Sequence, residues 1–92
     1  MFFVYVLRSK VDNKLYIGST SNITKRLKSH NRGRVLSTKS RRPLELIYHE
    51  SYQRKNEAVG RELFLKSGAG HQFLYSQFQN GKLEISRGGA VR

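Results

Sequence analysis

Hydrophobic residues near the amino terminus fall into two short runs that a polar segment separates. Residues 2–7 are aromatic and β-branched, and residues 15–18 form a second apolar run that ends in a glycine. Runs of this length and composition favour β-strands. The Asp-Asn pair between them tolerates the positive φ of a tight turn. The pattern therefore predicts a β-hairpin that brings Tyr5 near Tyr16, and Gly18 would allow close approach to the backbone.

A helix is predicted directly after the hairpin. Residues 20–22 are Thr, Ser and Asn, all good N-caps, and the helix should run to about residue 31, before a glycine. Ile23 and Leu27 form its apolar stripe, and Arg26 and His30 are neighbours one turn apart on the shoulder of that stripe. A lone histidine there is most simply packed at the edge of the core. Its pairing with Arg26 just after two tyrosines favours a functional site.

The segment that follows is strongly basic. Residues 32–43 hold five cations, one glycine and one proline, a composition that predicts a loop. In one interpretation this loop is an arm that follows a phosphate backbone without recognising sequence. In the other it is a solvated linker. The single sign of its charges favours the arm.

A third strand is predicted over residues 44–52. Alternation places Leu46, Tyr48 and Tyr52 on one face and Ile47 on the other. The His-Glu pair that follows Tyr48 has its side chains on opposite faces, so these two residues are not expected to chelate one ion together.

The second predicted helix carries a carboxylate on its apolar side. Asn56 is the expected N-cap, Glu57 lies in the first turn, and the helix should end at Ser67. Glu62 falls inside the apolar arc of this helix. A bare carboxylate is unfavourable there unless it meets a metal or another cation. The alternative to a metal site is a salt bridge with a nearby Lys or Arg.

The rest of the chain predicts one more helix and a tail. Residues 72–79 are expected to form a short helix with Phe73, Leu74 and Phe78 turned inward. Residues 1–80 would then form one domain, and residues 81–92 a flexible basic tail. No internal repeat is visible.

Charge is the strongest signal in the composition. The 92 residues include 18 Lys and Arg against 6 acidic residues, for a net charge of +12. Such an excess favours a polyanionic partner, with nucleic acid first. The plainer alternative is that positive charge keeps a small protein in solution. No run approaches the length of a membrane span, and the lack of cysteine fits the cytoplasm.

Several of these residues together carry a family resemblance. The pattern Val4-Tyr5-Val6 followed by Tyr16-Ile17-Gly18 resembles the GIY-YIG nuclease superfamily, in its small single-domain bacterial members, over about residues 2–80. The resemblance implies that Arg26 and His30 belong to the active site and that Glu62 binds a single metal ion. It also implies an α/β (α+β) fold whose three-stranded, mostly antiparallel sheet has flanking helices. One departure is that Phe3-Val4 stands where the family has Gly-Ile.

The implied chemistry is metal-assisted hydrolysis of phosphodiester bonds, with DNA favoured over RNA. Glu62 would hold Mg²⁺ or Mn²⁺, and Arg26 would bind the phosphate. Tyr5 or Tyr16 would orient or deprotonate the attacking water, and His30 would accept the proton from a tyrosine or hold that tyrosine in place. Only roughly one tyrosine in a thousand is ionised near pH 7, so these two roles stay open. The site is expected on one sheet face, where both tyrosines meet the first and second helices.

Substrate binding is assigned to a wider set of residues. The predicted nucleic-acid contacts are Lys14, Gly18, Arg32, Arg34, Lys39, Arg41 and Arg42. Two other hypotheses remain: a basic nucleic-acid-binding module of the same fold without catalysis, and a small ribosome-associated or structural protein whose tyrosines belong to the core. Glu62 discriminates against both, because a carboxylate facing phosphate would repel it.

Overall fold

The computed structural model describes residues 1–79. The predicted tail at 81–92 and the side chain of Phe78 lie outside what it describes. The elements in chain order are β1 (Phe2–Ser9), β2 (Leu15–Thr20), α1 (Ile23–Asn31), a 3₁₀ helix (Leu36–Arg41), β3 (Leu44–Tyr52), α2 (Lys55–Leu65) and α3 (Gly68–Gln79). Among these helices, none is long and apolar enough to cross a membrane.

The three strands form one antiparallel sheet in the order β2-β1-β3. The predicted α+β fold with an antiparallel sheet is therefore confirmed. The hairpin closes as the Asp-Asn pair suggested, since Asn13 has a φ of 60° and the Asp12 carboxylate accepts a hydrogen bond from the Lys14 backbone N–H. Its register places Tyr5 directly opposite Gly18.

The two faces of the sheet carry separate apolar clusters. On one face, Val4, Val6, Leu15 and Ile17 pack with buried residues of α2 and α3. On the other face, Tyr5 and Leu7 pack with Leu44, and Tyr16, Leu27 and Leu46 border this cluster. The helices α1 and α2 consequently lie on opposite faces of the sheet. The expectation that both tyrosines meet both helices on one face is wrong.

A β-bulge in β3 corrects the predicted facing of that strand. Tyr48 pairs with Val6, but Leu46 pairs with Leu7, so Ile47 is an extra residue between them. Successive residues of β1 point to opposite faces, and Tyr48 and Leu46 therefore do so as well. Strict alternation cannot anticipate one inserted residue, which reverses the facing of everything beyond it.

Helix boundaries differ from the predictions in four places, one of which is the end of α2 at Leu65, two residues before the predicted Ser67. The N-cap of α2 is Arg54, not Asn56, and the Glu57 carboxylate accepts a hydrogen bond from the Arg54 backbone N–H at 3.2 Å. The third helix begins at Gly68, four residues early, with the Ser67 hydroxyl accepting the Gly70 N–H. The predicted loop at 32–43 contains the 3₁₀ helix, whose Thr38 is fully buried.

A half-buried ion pair anchors α2 to β3, the other edge strand. The Glu50 carboxylate on β3 accepts hydrogen bonds from Arg61 Nε at 2.9 Å and Nη2 at 3.1 Å, and from the hydroxyls of Tyr48 and Tyr52. The Arg61 guanidinium also lies 4.7 Å from the centre of the Phe73 ring. This anchor sets the orientation of α2, and the next residue along the helix is Glu62.

Candidate active site

Four side chains form a hydrogen-bonded chain between the sheet and α1. The Tyr5 hydroxyl oxygen lies 3.2 Å from His30 Nε2 and accepts a hydrogen bond from Arg26 Nε at 3.3 Å. On the other side of the imidazole, His30 Nδ1 lies 2.8 Å from the Thr38 hydroxyl. Tyr5 is 2 % exposed, and His30 and Thr38 are 0 % exposed. The predicted neighbours Tyr5, Arg26 and His30 are therefore in direct contact.

Tyr16 borders the same histidine from the neighbouring strand. The rings of Tyr16 and His30 have centroids 5.1 Å apart at 65°, and those of Tyr5 and His30 are 5.9 Å apart at 70°. Both tyrosines thus contact the imidazole edge-to-face, and the predicted hairpin brings both of them to His30. The Tyr16 hydroxyl points to the 3₁₀ helix, where Ser37 Oγ donates to it at 3.4 Å.

Burial keeps this cluster neutral apart from Arg26. Desolvation, followed by the nearby Arg26 charge, lowers the pKa of His30 from 6.5 to about 4. Desolvation also raises the pKa of Tyr5 above 10, although the Arg26 hydrogen bond opposes that rise. At neutral pH the site therefore presents a phenol and an uncharged imidazole beside one guanidinium.

Gly18 lets the Tyr5 hydroxyl reach the edge strand. A Cβ built on Gly18 would lie 2.4 Å from the Tyr5 hydroxyl oxygen, closer than real atoms approach. The close approach predicted for this glycine is therefore present, and the group that approaches is the chain's own tyrosine. Its neighbour Ser19 faces the opposite side and donates a hydrogen bond to Glu62 Oε1 at 2.7 Å.

The predicted site residues therefore lie on both sides of strand β2. Tyr5, Tyr16, Arg26 and His30 are on the α1 side, and Glu62 is on the α2 side. The pair Gly18-Ser19 joins the two groups, because the first contacts Tyr5 and the second holds Glu62. Since β2 is an edge strand, a ligand that contacts both groups must lie along its outer edge.

The surroundings of Glu62 contain the salt bridge that was the alternative to a metal site. The Glu62 side chain is 20 % exposed, and its Oε2 forms a 2.8 Å salt bridge with Lys66, one turn along the helix. Within residues 1–79 no three His, Cys, Asp or Glu side chains cluster closely enough to enclose a metal. One accessible carboxylate fits a hard cation such as Mg²⁺, which keeps several waters and is completed by substrate phosphate oxygens.

The predicted nucleic-acid contacts occupy different positions. Arg32, Arg34, Lys39 and Arg42 are exposed on the segment between α1 and β3. Arg41 is half-buried, with its Nε 4.0 Å from the Asp12 carboxylate, and that ion pair is one cause of the lowered pKa of Asp12, after the Lys14 backbone hydrogen bond. Lys14 lies at the hairpin turn, several residues along β2 from Gly18.

Four residues of the site were not anticipated. They are Ser19, Ser37, Thr38 and Lys66. Lys66 stands four residues after Glu62, so helical spacing alone could have identified their salt bridge. The contact between Thr38 and His30 has no such signal, since it depends on how the 3₁₀ helix folds back over α1.

Comparison with known proteins identifies the family of this chain. The GIY-YIG catalytic domain matches residues 1–74. The chain belongs to the GIY-YIG family. This is a nuclease family, and membership supports nuclease activity for this chain.

The related GIY-YIG proteins are small and bacterial. The chain is 41% identical over 75 residues to the UPF0213 protein CPE1444 of Clostridium perfringens, covering 80% of each chain. It is 41% identical over 73 residues to the UPF0213 protein SH2523 of Staphylococcus haemolyticus, covering 78% of this chain and 88% of that one. The solution NMR structure of the UPF0213 protein BH0048 from Bacillus halodurans is similar in fold, with a TM-score of 0.52 and 28% identity. That match covers 94% of this chain and 100% of the other.

Proposed function

We propose that this protein is a divalent-metal-dependent endonuclease that hydrolyses phosphodiester bonds, with DNA as the substrate ahead of RNA. The observation that carries the proposal is that two groups of side chains lie on either side of β2 and contact its adjacent residues Gly18 and Ser19. One is the Tyr5-His30-Arg26 cluster, and the other is the accessible Glu62 carboxylate. The lack of cysteine supports a reducing compartment, such as the cytoplasm, as the place of this activity.

Glu62 is the residue that would hold the metal. Its carboxylate is positioned by Ser19 and is partly open to solvent. A bound Mg²⁺ or Mn²⁺ would supply Lewis-acid stabilisation of phosphate charge and would lower the pKa of a bound water. Lys66 would have to release Oε2, and its ammonium would then be free to face the substrate.

Arg26 is placed to bind the phosphate. Its Nε donates to Tyr5, so the terminal nitrogens of the guanidinium are the groups left to meet phosphate oxygens. The planar fork suits two such oxygens at once. The same contact orients the tyrosine, so phosphate binding and tyrosine orientation are linked through one side chain.

The pKa values favour Tyr5 as a phenol that orients the attacking water. The pKa of His30 falls to about 4 and that of Tyr5 rises above 10. Burial favours the uncharged form of both groups, so moving a proton from Tyr5 to His30 is unfavourable before substrate and metal bind. A preformed phenolate is therefore rare. Of the two roles left open by the sequence, the hydrogen-bonding orienter is the one we propose.

One observation favours the alternative function, a nucleic-acid-binding module without catalysis. Glu62 already has two internal partners, Ser19 and Lys66, so its presence on the apolar side of α2 does not require a metal. In that case the net charge of +12 accounts for binding and the tyrosines for packing. The two hypotheses differ in what a divalent cation does.

A cleavage panel separates the hypotheses. Labelled single-stranded, duplex and branched DNA, and RNA, would be incubated with Mg²⁺, Mn²⁺ or EDTA. Glu62→Gln preserves the shape of the side chain, and Glu57→Gln, exposed on the same helix, is its matched control. We expect metal-dependent cutting that Glu62→Gln abolishes and Glu57→Gln retains. If the wild type binds nucleic acid but cuts none in either metal, the nuclease hypothesis is wrong and the non-catalytic binding module is supported.

Titration with Mg²⁺ followed by NMR tests the metal site directly. In the nuclease hypothesis, backbone shifts concentrate around Glu62 and Ser19 and are absent from Glu62→Gln. The titration is run with and without an uncleavable oligonucleotide, because substrate phosphates supply part of the coordination. Equal shifts in both proteins would place the metal elsewhere.

A further inference from the structure

Thr38 is a buried residue that the proposed chemistry does not yet use. It lies on the 3₁₀ helix between α1 and β3 and is 0 % exposed, like His30. Its hydroxyl oxygen is 2.8 Å from His30 Nδ1, the shortest link in the chain that runs to Tyr5 and Arg26. A buried hydroxyl in contact with an imidazole has a choice of hydrogen-bond direction, and that direction determines which ring nitrogen carries the proton.

Counting hydrogens distinguishes the two tautomers. Arg26 Nε can only donate, so the Tyr5 oxygen accepts from it. If His30 Nε2 also carried a hydrogen, Tyr5 would accept twice, and its own hydrogen would have no acceptor among the contacts of the described residues. If Nδ1 carries the hydrogen, Tyr5 donates to Nε2, and every hydrogen in the chain has an acceptor.

The surroundings of Thr38 agree with the second arrangement. Thr38 Oγ1 lies 3.4 Å from the Val35 carbonyl, to which it can donate its own hydrogen. Its lone pairs then remain available to His30 Nδ1–H. The imidazole carries only one hydrogen at neutral pH, because burial lowers the pKa of His30 to about 4.

We propose that Thr38 is a positioning residue that holds His30 as the Nδ1–H tautomer, so that Nε2 accepts the Tyr5 hydroxyl hydrogen. The chain of donors then runs from Tyr5 to His30 to Thr38 to the Val35 carbonyl. Its effect is to fix the direction of the Tyr5 O–H bond and to turn the remaining lone pair of Tyr5 outward. The catalytic meaning of this arrangement rests on the proposed nuclease function, but the tautomer itself does not.

The test is ¹⁵N NMR of the histidine rings in the full chain near pH 7. Removing His49 or His71 by substitution with Gln assigns the signals of the three histidines. Wild type should show His30 with a protonated Nδ1 and an unprotonated Nε2. Thr38→Val keeps the shape and removes the acceptor, so His30 should shift to the Nε2–H form or a mixture. Thr38→Ser should restore the wild-type pattern, and the exposed Thr24→Val should not alter it.

Kinetics give the second readout. If the protein cleaves nucleic acid, Thr38→Val should lower kcat about tenfold with little change in KM, and Thr38→Ser should recover most of the loss. An Nε2–H tautomer in wild type, or an unchanged tautomer in folded Thr38→Val, would overturn the proposal. The expected tautomers in a protein that cuts no substrate would support the positioning role and remove only the nuclease function.

Discussion

The hydroxyl of Tyr5 lies against the α-carbon of Gly18, across the antiparallel pair β1 and β2. A Cβ at position 18 would be 2.4 Å from the hydroxyl oxygen and 2.6 Å from the ring carbon that bears it. Tyr5 is buried and held by two hydrogen bonds, so it has little freedom to move aside. The Tyr5 hydroxyl can therefore occupy its position only because residue 18 has no side chain.

Gly18→Ala should disrupt the site and weaken the fold. Overpacking a buried contact of this kind costs about 1–3 kcal/mol, measured by urea unfolding, and we expect cleavage to fall at least tenfold as Tyr5 shifts. The control is Gly60→Ala, on the exposed part of α2, where nothing lies within 4 Å of the added Cβ. That change should stabilise the protein by about 0.5–1 kcal/mol. Equal stabilities for Gly18→Ala and wild type would show that the contact is not tight in solution.

Tyr5→Phe and Tyr16→Phe should differ in their effect on cleavage. The Tyr5 hydroxyl contacts Arg26 and His30, whereas the described contact of the Tyr16 hydroxyl is with Ser37 at 3.4 Å. We expect Tyr5→Phe to lower kcat by about a hundredfold or more, in the range for a lost acid–base or orienting group. Tyr16→Phe should lower kcat by a smaller factor than Tyr5→Phe does. A Tyr5→Phe enzyme within threefold of wild type would remove Tyr5 from the chemistry, and a larger loss in Tyr16→Phe would exchange the two roles.

The buried His30 predicts loss of stability in mild acid. The pKa of His30 is about 4 in the folded protein and 6.5 in the unfolded chain. The unfolded chain therefore binds the proton more tightly. The contribution of neutral His30 to the free energy of unfolding should therefore be complete above pH 6.5 and should decline as pH falls towards 4. The total loss is on the order of 3 kcal/mol. Urea midpoints between pH 8 and pH 5, above the range where most carboxylates titrate, should show about 2 kcal/mol of this loss.

A variant pair identifies the residue responsible for that decline. His30→Gln should flatten the slope of stability against pH over this interval, even if the variant is less stable at pH 8. The exposed His49→Gln should keep the wild-type slope. An unchanged slope in His30→Gln would mean that the imidazole is not held neutral in the folded protein.

The ion pair of Glu50 and Arg61 should matter more to stability than the pair of Glu45 and Arg8. Burial raises the pKa of Glu50, but hydrogen bonds from Arg61, Tyr48 and Tyr52 outweigh burial and lower it overall. Glu50→Gln leaves Arg61 without its partner charge and should cost about 2–4 kcal/mol in urea unfolding. Glu45→Gln breaks the pair with Arg8, in which the glutamate side chain is 34 % exposed against 17 % for Glu50, and should cost under about 1 kcal/mol. Similar losses in the two variants would show that the Glu50 pair is as solvated as a surface one.

Local spacing explains why much of the site could be predicted from the sequence. Hairpin register brings Tyr5 to Gly18, and helical spacing brings Arg26 to His30. The remaining features depend on contacts between distant segments. The bulge at Ile47 reverses a strand face, and Thr38 reaches His30 only through the fold of the 3₁₀ helix. The placement of Glu62 across β2 from Tyr5 also follows from α1 and α2 packing on opposite faces, which no local pattern encodes.

Two cations on the 3₁₀ helix should contribute differently to nucleic-acid binding. Lys39 is exposed, whereas Arg41 is half-buried and faces the Asp12 carboxylate. If Lys39 contacts a phosphate, Lys39→Ala should weaken binding and reduce the slope of log K against log salt by about one. Arg41→Ala should change that slope less, because its charge is already partly compensated, and should reduce stability instead. Fluorescence anisotropy of a labelled duplex over a range of salt concentrations measures both slopes. Equal slopes in wild type and Lys39→Ala would mean that the exposed basic segment is a solvated linker.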